Sequence, residues 1–149
     1  MSQAPTTEVE QSRCRVSMST GVRGLVVWFV LMGAEIVHGV ARGIWLVPLV
    51  GDFHSRQIGV FTGSIINLTI AALLVRWIHP MRVANALSVG MMWLMLTIVF
   101  EITFGRVVMH ASWQRIGSDY DLIHGGLLPM GLLALAIIPL IAAKVRHTL

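Results

Sequence analysis

The chain has little charge and almost no cysteine. Only 12% of its 149 residues are Asp, Glu, Lys or Arg, about half the ordinary soluble share. A soluble fold with that composition would lack the polar surface to cover its core. The single cysteine, Cys14, excludes an intrachain disulfide and any thiol relay that needs a pair. It also precedes the first apolar run, the wrong order for a bacterial lipoprotein site. No basic patch carries interleaved aromatics, so nucleic acid is not an expected partner. A P-loop, a G-x-S-x-G and a His-Glu-x-x-His are all absent, which leaves the chain without a familiar enzymatic signature.

Apolar residues, by contrast, make up 56% of the chain, and the mean hydropathy is +0.78. That composition belongs in a bilayer. At about 20 residues per span, the chain has room for four helices and no sizeable aqueous domain. The expected fold is an all-α integral membrane bundle of four helices. Residues 1–20 are polar and read as a disordered cytosolic tail, ahead of a transmembrane domain over 21–149. Glu8 and Glu10 argue against a transit peptide, and the apolar run beyond Ala34 argues against signal cleavage there.

The first span is expected over Val22–Val50, closed by Pro48 and Gly51-Asp52. The second runs Gln57–Ile78 and stops at His79-Pro80. The third covers Ala84–Phe104 and extends towards Trp113, followed by a loop over 117–121. The fourth covers Ile123–Ala143. Pro129 falls early in it, and Pro139 falls deeper, where it needs a kink or a neighbour's donor. Trp28, Trp45, Trp77 and Trp113 are expected near the interfaces and Trp93 deeper.

The formal charge is +4, and its distribution sets an orientation. Arg13, Arg15, Arg23, Arg76, Arg82, Lys144 and Arg146 flank one side, whereas Arg56, Arg106 and Arg115 flank the other. Both termini are therefore expected in the cytoplasm, with the chain in a bacterial cytoplasmic (inner) membrane.

The two halves look related. At an offset of 66, Gly24, Gly39, Gly51 and Gly59 meet Gly90, Gly105, Gly117 and Gly125, and Glu35 meets Glu101. About one glycine match is expected by chance. The reading is an internal repeat of two hairpins, about 22–78 and 84–144, related about an axis along the membrane normal.

Glu35 and Glu101 carry the functional interest. A carboxylate near the bilayer centre costs about 2.5–3.5 kcal/mol on insertion scales, so it faces a partner or a cavity. Glu35, His38 and Arg42 fall at i, i+3 and i+7 and share a helix face. The expected site is a buried polar layer of Glu35, His38, Arg42 and Glu101, with Asn67, Arg106 and His110 as secondary candidates. Arg106, His110 and Trp113 share a face only if the third helix continues. Gly39 with Gly43, Gly59 with Gly63, and Gly105 are expected to permit close helix packing. Ser64 and Thr69 read as interhelical hydrogen-bonding groups.

One reading of the layer is structural, with Arg42 neutralising Glu35 or reaching Glu101. The leading functional expectation is a non-enzymatic accessory, assembly or small-solute-handling membrane protein. An alternative is a proton-coupled carrier using Glu35 and Glu101, since neighbouring carboxylates do not both ionise easily. A second alternative is a metal or haem redox protein using Glu35, His38 and His110. Glu-x-x-His has di-iron spacing, but Phe104 stands where a second histidine is needed, so no cofactor or metal is expected. His124 beside Asp119 and Asp121 is a lesser candidate for a cation. The small bundle calls for the lipid bilayer plus a second copy or a partner membrane subunit.

Overall fold

The structure, a computed structural model, describes residues 6–80 and 82–147. Helix α1 spans Thr6–Ala41 and continues through a π-helical turn, Arg42–Leu46, into α2, Val47–Val50. Gly51 breaks the chain with φ 79°. Helices α3 (Asp52–Ile78), α4 (Val83–Val107), α5 (Trp113–Tyr120) and α6 (Leu128–Val145) follow. Four stretches are long and apolar enough to cross a membrane: Thr20–Val50, Asp52–Ile78, Val83–Val107 and Leu128–Val145. The chain is thus a four-helix membrane bundle.

Two elements differ from the sequence expectation. The segment read as a tail is helical from Thr6, continuous with α1. From Thr6 to Thr20 it contains no glycine or proline to stop the helix. Residues 1–5 lie outside the described residues. The third helix stops at Val107, and the segment up to Trp113 is not helical. His110 there adopts a left-handed backbone, φ 49°. A separate short helix, α5, occupies most of the stretch read as a loop. Ser112 caps it, accepting from the Arg115 N–H at 3.2 Å, as N-cap serines do.

The π turn has a local cause. Pro48 has no N–H for the Ile44 carbonyl, and its ring crowds that carbonyl. The chain relaxes by one wider turn, in which the Val47 N–H bonds to the Arg42 carbonyl five residues back. Side chains beyond Arg42 therefore leave the face that Glu35 and His38 define.

Helix α1 packs against α3 and α4, and α6 packs against the same two. Among the described residues, α1 does not contact α6, nor α3 contact α4. The two hairpins thus lie side by side, with α1 beside α4 and α3 beside α6. An axis along the membrane normal would set equivalent helices across the bundle from one another, so it does not relate the hairpins.

The apolar core fills the half of the bundle where α1 enters and α3 ends. It joins Val27 and Leu31 to Ala71 and Val75, Val89 and Trp93, and Leu135 and Ile138. Two indoles lock the α1–α4 seam there. Trp28 Nε1 donates to Thr97 Oγ1 at 3.0 Å, and Trp93 Nε1 donates to the Gly24 carbonyl at 2.8 Å. Trp28 is therefore buried within the bundle. Gly90 admits the α6 backbone so closely that a β-carbon would overlap the Ala136 carbonyl. The other half of the bundle holds the polar residues.

Candidate functional site

Helix α3 presents one stripe at intervals of four: Ser55, Gly59, Gly63, Asn67, Ala71 and Val75. Small residues at that spacing leave a shallow groove along the helix. In most membrane bundles a neighbouring backbone fills such a groove. Here polar side chains of α1 fill its upper part. A β-carbon at Gly63 would lie 2.8 Å from Glu35 Oε1, and one at Gly59 would lie 2.9 Å from Arg42 Cδ. Gly59 and Gly63 are thus seats for the two charged side chains. Gly39 and Gly43 have open space around them, so the close approach expected there is not made. Gly105 meets only Ile116 of α5, at 3.5 Å.

Glu35 and His38 are joined as their spacing implies: His38 Nδ1 lies 3.2 Å from Glu35 Oε2. The other ring nitrogen, Nε2, lies 2.8 Å from Thr62 Oγ1 on α3. Thr62 was not among the sequence candidates, although its position beside Gly63 in the small-residue stripe marks that face. Both ring nitrogens of His38 are occupied, so neither is free for a metal. Glu35 Oε1 is shielded and accepts no hydrogen bond.

Arg42 does not pair with either glutamate. Its Nη1 donates to Ser55 Oγ at 3.1 Å, and Ser55 Oγ donates on to the Asp52 carbonyl at 2.8 Å. Beyond it lies an ionic cluster at this end of the bundle. Arg56 bridges Asp52 at 3.3 Å and also binds Asp119 of α5, while Arg115 of α5 binds Asp52 at 3.0 Å. Burial pushes the Asp119 carboxyl up, and Arg56 and Arg115 pull against that shift. Tyr120 is pushed up by burial and then by Glu101 and Asp119, and its shielded hydroxyl has no partner.

Glu101 lies within Coulombic reach of Glu35, Arg42 and Asp119. It makes no hydrogen bond or ion pair among the described residues. Its side chain is exposed, so the buried layer expected from the sequence does not enclose it. Phe100 and Phe104, one residue before it and three after, stack at 5.3 Å. The layer is therefore two acids and a histidine, with the arginine turned away towards Ser55.

The secondary candidates separate. Asn67 is buried one turn from Gly63, with Oδ1 unpartnered. Arg106 donates to the Ala111 carbonyl at 2.6 Å and lies over the Trp113 ring at 4.8 Å. That contact arises because the chain folds back after Val107. His110 is exposed on that segment and far in the chain from His38. His124 binds Asp121 at 2.6 Å, whereas Asp119 is held by Arg56. Ser64 and Thr69 donate to carbonyls of their own helix. Among the described residues, no three His, Cys, Asp or Glu side chains converge as a metal site requires. No family model matches the chain, and neither a curated protein nor a solved structure is similar to it.

Proposed function

We propose that this protein couples protons to a small cationic solute in the membrane, with Glu35 and Glu101 as its acidic sites. The observation that supports this reading is that, among the described residues, no arginine or lysine pairs with either carboxylate, Glu35 meeting only the titratable ring of His38. The structural alternative needs Arg42 as the counter-ion, and Arg42 instead bonds Ser55. Acids kept in a bundle without a fixed counter-charge hold a proton or a bound cation. A cation bound at either carboxylate displaces the proton held there, so solute entry and proton release exchange.

The topology proposed is both termini in the cytoplasm of a bacterial inner membrane, on the seven-to-three bias of Lys and Arg. The ionic cluster then faces outward. The glycine matches and the Glu35–Glu101 match at an offset of 66 support descent of the two hairpins from one ancestral unit.

The test is proton flux in liposomes loaded with a pH-sensitive dye and driven by a tetraethylammonium gradient. Wild-type protein should move protons. Glu35→Gln and Glu101→Gln should each abolish the flux while leaving thermal unfolding in detergent within a few degrees of wild type. If either change instead unfolds the bundle, the layer is structural and the accessory or assembly reading replaces this one.

A further inference from the structure

We propose that Thr62 sets how many protons the Glu35–His38 pair holds, so that proton release turns on the rotation of one hydroxyl. This rests on the proton-coupled reading above and follows from hydrogen-bond bookkeeping. Thr62 Oγ1 lies 3.1 Å from the Ile58 carbonyl and 3.3 Å from the Gly59 carbonyl of its own helix. A hydroxyl has one proton to give. While that proton goes to its own helix, Oγ1 can only accept from His38, so Nε2 carries a hydrogen.

The bond between His38 Nδ1 and Glu35 Oε2 must then contain a second proton. Without it, a bare Nδ1 lone pair would face a carboxylate oxygen. The loaded pair therefore holds two protons and is neutral overall. It is either carboxylic acid with neutral imidazole, or carboxylate with imidazolium. Glu35 Oε1 has no hydrogen-bond partner among the described residues, so the shared proton lies between Oε2 and Nδ1.

In the released state the pair holds one proton, on Nδ1, donating to the Glu35 carboxylate. Nε2 is bare. The Thr62 hydroxyl swings away from the α3 carbonyls and donates to Nε2. One proton leaves and the pair goes from neutral to minus one, with both His38 nitrogens and Glu35 Oε2 still hydrogen-bonded. Thr62 lies at the bundle surface.

The charged groups facing the pair are few. Arg42 of the same helix is turned to Ser55, and Glu101 approaches from α4. Helix α3 meets the pair with Thr62 and Gly63, which do not titrate. Thr62 is thus a positioning residue that acts through His38.

The experiment compares wild type, Thr62→Val and Thr62→Ser. It measures the pH profile of tetraethylammonium-driven proton flux and the nitrogen-15 resonances of His38 in detergent. Valine fills the same space but removes both the acceptor for the loaded state and the donor for the released state. The acceptor bond to a charged ring is the stronger of the two, so the midpoint of the Thr62→Val profile should move to lower pH by about one unit. Thr62→Ser should restore the wild-type profile. His38 in wild type should show Nε2–H in the loaded state and a bare Nε2 after release.

Three results overturn the proposal: an unchanged Thr62→Val profile, failure of serine to rescue, or a His38 that keeps the same tautomer at every pH. The nitrogen measurement stands on wild type alone, so a valine variant that fails to fold does not remove the test. A wild type without coupled flux would instead sink the transport reading and leave the His38 resonances to decide the proton count.

Discussion

At the residue scale, two glycines separate function from packing. Gly63 and Gly90 both have no room for a β-carbon, but what blocks them differs. At Gly63 the obstacle is the tip of a flexible Glu35 side chain, and at Gly90 it is the Ala136 backbone. Gly63→Ala should displace the carboxylate and break its bond to His38. Alanine's better helix propensity, worth about 0.5–1 kcal/mol, offsets the crowding, so thermal unfolding in detergent should change little while proton coupling is lost. Gly90→Ala has no such relief, because α4 and α6 must part. It should cost about 1–3 kcal/mol, read in the same unfolding experiment. The sequence makes the Glu35–His38 contact legible, because i, i+3 spacing on a helix fixes it. It does not show where Arg42 points. That depends on Ser55, one turn from Gly59 on α3, a partner that nothing in the first span names. Thr62 was hidden for another reason: a threonine in a span is most often bonded to its own helix, and here it is so bonded while also meeting His38.

At the scale of elements, α5 carries the informative difference. Gly117, Ser118 and Asp119 suggest a loop, yet Ser112 caps a helix whose Trp113, Ile116 and Tyr120 share one face. Arg115 and Asp119, four apart, share another and reach α3. The cap and the i, i+3, i+7 spacing were both present in the sequence, but eight residues are too few for periodicity to outweigh turn formers. Asp119 gives this element a distinct pH response. Its carboxyl is held above the usual range chiefly by burial, so the folded form binds a proton before the unfolded chain does. Stability should therefore rise as pH falls from above that raised value towards the ordinary aspartate range near 4. An exposed ion pair would show the opposite slope. Asp119→Asn should remove this rise, as checked by unfolding scans between pH 4 and 7. Asp121 runs the other way. Its hydrogen bond from His124 lowers its carboxyl, so its contribution is present above the ordinary aspartate range and fades below it.

At the scale of the molecule, the number of spans and most of their ends follow from apolar run length and from Pro48, Gly51 and His79-Pro80. Which helices touch does not follow, because the polar and small residues that mark a face do not say which neighbour it meets. The structure resolves this by seating α4 against α1 through Trp28, Thr97, Trp93 and Gly24, and against α6 through Gly90. The link between the hairpins is therefore unusual. Residues 79–82 join α3 to α4, two helices without mutual contact, while both inter-hairpin seams are made by helices far apart in the chain. The covalent link contributes proximity and little recognition. A gene cut between Pro80 and Met81 should yield two fragments that find each other in the membrane, tested by co-purification through a tag on one of them. The same seams permit each hairpin to pair with the complementary hairpin of another copy. In an open membrane, assembly would then be a competition between closing on itself and exchanging halves with a neighbour, decided by how densely the protein is expressed.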